Sequence, residues 1–220
     1  MMTLTNTLLA TVLLLNLFAL GTNRINTMIR IVTIEGAIIG IMPLLFHGFW
    51  HPESILLALA TLLVKAVLIP TILYRALREV RNRNENAPLL GVLPSMVIGA
   101  LGTGLALVYS GLLPLMPAHS GTLLVPTSLA TMLTGLILLT TRIKAISQAL
   151  GYLVLENGIF IFSLLMLDAM PFFVEVGLLL DLFVGLFLIG IILNHISNTY
   201  QSLNTRLLTT LKEENPWPQD

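Results

Sequence analysis

Residues 146–167 read ISQALGYLVLENGIFIFSLLML, a run that is apolar for almost its whole length except where Glu156 stands near the middle. A helix rises about 1.5 Å per residue, so roughly 20 such residues cross the ~30 Å hydrocarbon core of a bilayer. A carboxyl group at that depth costs about 2.5–3.5 kcal/mol or more if it faces lipid, so it has to face protein or water. The length of the run makes it a membrane helix. Its glutamate demands a polar interior beside that helix.

Composition extends the first conclusion to the whole chain. Of 220 residues, 56% are hydrophobic and 10% charged, against about 25% charged in a soluble domain, and the mean hydropathy is +0.93. Seven segments are long and apolar enough to span: 3–21, 27–46, 54–75, 91–114, 122–141, 146–167 and 171–194. The first begins without a positive lead or a small-residue cleavage site, so it reads as a retained helix and not as a signal peptide. A net charge of zero leaves no electrostatic footprint for nucleic acid. The absence of cysteine excludes disulfides, thiolate nucleophiles and Cys-ligated clusters.

Orientation follows from the loops. Arg24 and Arg30 follow the first span, Arg75, Arg78, Arg81 and Arg83 the third, Arg142 and Lys144 the fifth, and Arg206 and Lys212 the seventh. The alternate loops 47–53, 115–121 and 168–170 hold no Lys or Arg. The positive-inside rule then places the N-terminus outside and the C-terminus in the cytoplasm.

The remaining basic residue, Lys65, lies inside the third span, and three acids share its depth: Glu35, Glu156 and Asp181. Glu35 and Lys65 stand on sequential helices and can pair as structural glue. Glu156 and Asp181 cannot glue each other, since like charges repel; if close, they share a proton and titrate as a unit. That property suits a proton path. On the sixth span Gln148, Tyr152, Glu156 and Ser163 form one polar stripe. Gly177 and Gly185 flank Asp181 by four residues on either side, leaving room for another helix or a water chain. Pro70 cannot donate to the carbonyl of Ala66, beside Lys65, and either frees that group for water or kinks the helix. Glu175, six residues before Asp181 and so about 9 Å nearer the outside, is the fifth and weakest candidate. The proton-transfer candidates are therefore Glu156, Asp181, Glu35, Lys65 and Glu175.

Spans one to three and five to seven match in plan: basic residues after the first helix, an acid midway along the second, an ionisable group midway along the third. With one linking helix between them, both triplets run the same way through the membrane. The expected fold is thus all-α, with seven transmembrane helices in two parallel three-helix repeats. Its units are 1–80, the linking helix and loops 81–121, a second triplet 122–197, and a cytoplasmic tail 198–220. The linking span carries Ser95/Gly99 and Ala100/Gly104 at small-xxx-small spacing, a sign of close packing.

The segments GYLVLENGIF (151–160), PFFVEVGLLLDLFVGLF (171–187) and LTTLKE (208–213) resemble hydrogenase-4 component E, a membrane subunit of formate hydrogenlyase-type group 4 NiFe hydrogenases. The resemblance covers most of the length and is strongest from residue 142 onward. The second triplet is also similar to the K subunit of respiratory complex I and to the C subunit of multisubunit Na⁺/H⁺ antiporters. In the K subunit, two helices each carry an embedded carboxylate, which correspond here to Glu156 and Asp181; the latter is an aspartate where complex I has a glutamate. The first triplet departs further, offering Lys65 where an acid is expected.

What the resemblance implies is a non-catalytic subunit of a redox complex in the plasma (inner) membrane of a prokaryote, contributing to proton translocation. Its partners would be an antiporter-like membrane subunit, other membrane subunits, lipid, and a peripheral hydrogenase arm. The NiFe centre and iron–sulfur clusters would belong to those partners; this chain offers no catalytic, cofactor or metal site. A subunit of a cation/proton antiporter without a redox partner, and a purely architectural scaffold, are the alternatives.

Other polar features read as membrane-interface furniture. His47 and His51 are four apart but lack a further ligand beyond Glu53, and Trp50 between them suits an interfacial anchor. His119 has no evident partner, and His195 suits a helix C-terminus. The basic run 75–85 reads as a solvated extension, or a docking strip for a partner or anionic lipid. The tail 198–220 is too short to fold alone.

Overall fold

The computed structural model describes residues 2–47, 52–79, 90–112 and 121–165. Every regular element among them is a helix: α1 (Met2–Gly21), α2 (Ile25–His47), α3 (Pro52–Thr61), a π-helical segment (Leu62–Leu68), α4 (Ile69–Glu79), α5 (Val92–Ser110), α6 (Leu124–Thr141) and α7 (Ala145–Ser163). Six stretches of these are long and apolar enough to cross a membrane, with α3, the π segment and α4 together supplying one. They describe a multi-pass membrane protein. The segment 171–194 lies outside the described residues.

The third span is not one regular helix. Its middle is wound as a π-helix that ends just before Ile69 and Pro70. A proline cannot donate to the carbonyl four residues back, and it crowds that turn. The wider π turn is one way a helix absorbs such a break, and π segments recur at functional positions. Here it surrounds Lys65.

Helices α6 and α7 pack closest because glycine lines their contact. A Cβ on Gly135 would collide with the backbone of Leu155, and one on Gly158 would stand 2.6 Å from the amide nitrogen of Met132. In a membrane, where lipid is as apolar as any side chain, this close approach is what holds helices together.

Helix α1 is fastened to α6 by polar ties at three depths. Asn6 Nδ2 donates to the carbonyl of Gly121 at 3.1 Å, and its Oδ1 accepts from the amide of Leu123 at 3.1 Å. Midway, buried Asn16 Nδ2 donates to Thr131 Oγ1 at 2.8 Å. At the other end the side chain of Arg142 is almost wholly buried. Its Nη1 donates to Asn23 Oδ1 at 2.7 Å, and its Nη2 to the carbonyls of Thr22 at 3.0 Å and Leu20 at 3.3 Å. Burial pulls its pKa below the ordinary arginine value, and the acceptors at the C-terminal end of α1 are what hold the charge. A residue read from the sequence as an orientation signal also acts as a clamp between α6 and α1. Arg142→Ala is expected to cost about 2 kcal/mol, read as a lowered midpoint of thermal unfolding of the full chain in micelles; Arg142→Lys should recover less than half, because an ammonium cannot span the same fork of acceptors. An unshifted midpoint would show the clamp to be ornamental.

The linking helix α5 buries only Ser95, Gly99 and Ala106. Gly99 lies directly against Leu20 of α1. The second small-residue pair does not behave as its spacing suggests: Ala100 is exposed, and a Cβ on Gly104 would meet nothing within 4 Å. One helix face packs, and the pair one residue further round points away from it.

Candidate functional site

Three of the sequence candidates meet in the middle of the bundle. Lys65, on the π segment, places Nζ 3.1 Å from Glu156 Oε1 of α7. The same nitrogen donates to Asn157 Oδ1 at 3.1 Å. Asn157 Nδ2 reaches back to Glu35 Oε2 of α2 at 3.5 Å. The chain of contacts is therefore Glu156–Lys65–Asn157–Glu35, and every member is buried, with Glu35 fully so. Glu35 Oε1 is buried without a hydrogen-bond partner among the described residues. The ring of Phe160, one turn beyond Glu156, lies 5.0 Å from Nζ and supplies a cation–π contact.

Local sequence explains how the three elements converge. Gly36, next to Glu35, has no side chain; a Cβ there would stand 2.9 Å from the Cβ of Lys65. That vacancy lets the π segment lie against α2 and delivers the lysine to the centre. On α7, the pair Glu156–Asn157 puts a carboxylate and an amide on adjacent positions, so one lysine can touch both.

Two apolar clusters enclose this layer. Toward the arginine-bearing end lie Met28, Ile29 and Val32 of α2, Ile69 and Leu73 of α4, and Leu150, Leu153 and Val154 of α7. Toward the other end lie Ile39 and Met42 of α2, Phe160, Ile161 and Leu164 of α7, and Leu9 and Leu124. Among the described residues, the charged layer lies between these two apolar clusters. Burial of ions in such a setting is costly unless they are paired and hydrogen-bonded, which is the arrangement found.

The expectations divide accordingly. The structure brings Glu35, Lys65 and Glu156 together. Adjacent helices suggest a direct Glu35–Lys65 pair, but the lysine goes to Glu156 and joins Glu35 through an amide. Asp181 and Glu175 lie outside the described residues, as do His51, His119, His195, Trp50 and the tail. The polar stripe of α7 grades from exposed Gln148 through half-buried Tyr152 to buried Glu156, with Ser163 half-buried and turned back to the carbonyl of Phe160 at 2.8 Å. The residue missed by sequence reading is Asn157. An amide at mid-depth of a membrane helix is itself expensive when unpaired, and that cost was the available signal.

No known family model and no solved structure matches the chain. The chain is similar to an uncharacterized protein, Rv0085, of Mycobacterium tuberculosis, with 29% identity over 195 residues that make up 86% of this chain and 87% of that protein.

Proposed function

We propose that this chain is a non-catalytic, proton-handling subunit of a membrane-bound redox complex of the formate hydrogenlyase type, with its N-terminus outside and its C-terminus in the cytoplasm. The observation that carries the proton-handling part is the sharing of one lysine between two buried carboxyls, Glu156 and Glu35. One ammonium balances one carboxylate. The second carboxyl is then the place where a proton is taken up or released, and Lys65 with Asn157 couples the two sites into one titrating unit. Apolar clusters of described residues flank the layer on both sides, which favours transfer in the plane of the membrane, through Asp181 and onward to an antiporter-like neighbour, with Glu175 as a feeder. Two parallel three-helix units joined by α5 would place that path.

Assignment to a hydrogenase complex rests on the resemblance of 151–160 and 171–187 to hydrogenase-4 component E. Affinity purification of the tagged chain from its native membrane, followed by mass spectrometry, tests it. Iron–sulfur and NiFe subunits in stoichiometric yield are expected. Antiporter subunits without any iron–sulfur protein would replace this reading with that of a cation/proton antiporter component.

A second reading, purely architectural, is favoured by one specific feature: the Lys65–Glu156 pair is buried between two apolar clusters of the described residues, as a structural ion pair would be. Full proton-coupled activity in a variant with Glu35, Lys65 and Glu156 all made neutral would establish it.

A further inference from the structure

A groove of about 400 Å³ opens between α2 and the third span. Arg30, Thr33 and Ile34 line it from one side, and Val67, Thr71 and Tyr74 from the other. Its hydroxyls are spent: Thr33 Oγ1 donates to the carbonyl of Ile29 at 2.7 Å, and Thr71 Oγ1 to that of Val67 at 2.6 Å. Pro70, also in the wall, brings a ring and no N–H. What remains along the groove is hydrocarbon, with Ile34 49% and Val67 61% exposed.

The end of the groove is different in kind. The exposed guanidinium of Arg30 stands there, one helical turn from Ile34, with the partly buried Tyr74 opposite it. No acid is among the lining residues. Exposed Arg24 and Arg75 mark the same end of the bundle, which is where a lipid head group sits when its chains lie along the spans. Tyrosine is itself favoured at that level.

We propose that the groove is a binding site for a single anionic phospholipid, its acyl chain against Ile34, Val67 and Pro70 and its phosphate on Arg30. An apolar trough closed by a lone cation matches that molecule in both halves. The guanidinium fork fits phosphate oxygens. A zwitterionic choline head group would bring a second positive charge beside Arg30, whereas a glycerol head group would not. The seat also has a consequence for the bundle: Ile34 and Ala66, which both line the groove, adjoin Glu35 and Lys65 in the chain, so a bound lipid packs behind the charged layer.

Native mass spectrometry of the full chain, released from micelles with equimolar phosphatidylglycerol and phosphatidylcholine, tests this. About fivefold preferential retention of phosphatidylglycerol is expected, the weight of one basic residue at an anionic surface. Arg30→Gln should bring the ratio close to one. Val67→Trp, which fills the groove from an exposed position, should reduce retained phospholipid of both kinds. Arg24→Gln, at the same end but outside the groove, should change neither. Equal retention of the two lipids by the unaltered chain, equal losses in Arg24→Gln and Arg30→Gln, or undiminished retention in Val67→Trp would each overturn the site.

Discussion

Lys65→Met is expected to cost the full-length chain about 3–5 kcal/mol, the usual result of removing one partner from a buried ion pair. The loss has a specific origin. With the ammonium gone, Glu156 loses its contact at 3.1 Å, Asn157 Oδ1 loses its donor, and two buried carboxyls lose the cation that lies between them. Lengthening the list of changes should reverse it: adding Glu35→Gln and Glu156→Gln to Lys65→Met removes the stranded acids, and most of the stability is expected to return. Thermal unfolding in micelles followed by circular dichroism reads both. A single variant as stable as the parent, or a triple variant no better than the single, would show that the three side chains are not an electrostatic unit.

The second large effect is steric. Gly135→Val is expected to cost about 3 kcal/mol, at the upper end of overpacking penalties, because its side chain would meet the backbone of Leu155 and backbone cannot rotate away. The parts of the chain joined by this contact include Glu156, one residue beyond Leu155, so separation of α6 from α7 also moves the carboxylate that Lys65 holds. Gly104→Val, by contrast, enters open space and should leave stability within about 0.5 kcal/mol. Circular dichroism melts of the pair decide it: equal midpoints would mean that α6 and α7 do not depend on close approach.

Much of this molecule is legible in its sequence because a membrane helix is specified by length and apolarity alone. The expected spans 3–21, 27–46, 122–141 and 146–167 correspond to α1, α2, α6 and α7 with ends a few residues apart. The third span was legible as a crossing but not as a π-helical one: Pro70 signals a broken ladder, and whether that becomes a kink or a wider turn depends on what packs alongside, here Gly36. The charged layer was legible as a set of depths. Helix centres coincide in a bundle, so Glu35, Lys65 and Glu156 had to be level. Which of them pair could not be read from spacing, since pairing depends on helix rotation and on which helices adjoin; α7 adjoins α2 and the π segment, and the lysine follows it. The clamping role of Arg142 was not legible for a related reason. A loop arginine carries the same letter whether it is solvated or drawn into the end of a neighbouring helix, and only the approach of α1 to α6 separates the two.

The most direct measurement of the central claim is proton movement by everted membrane vesicles carrying the Glu156→Gln chain. That substitution keeps the shape of the side chain and leaves Lys65 balanced by Glu35 through Asn157, so the assembled chain should reach the membrane in parental amounts. With one of the two coupled carboxyls gone, substrate-driven acidification of the vesicle interior is expected to fall at least tenfold. Undiminished acidification at equal assembly would contradict the account and leave the buried charges as a strut.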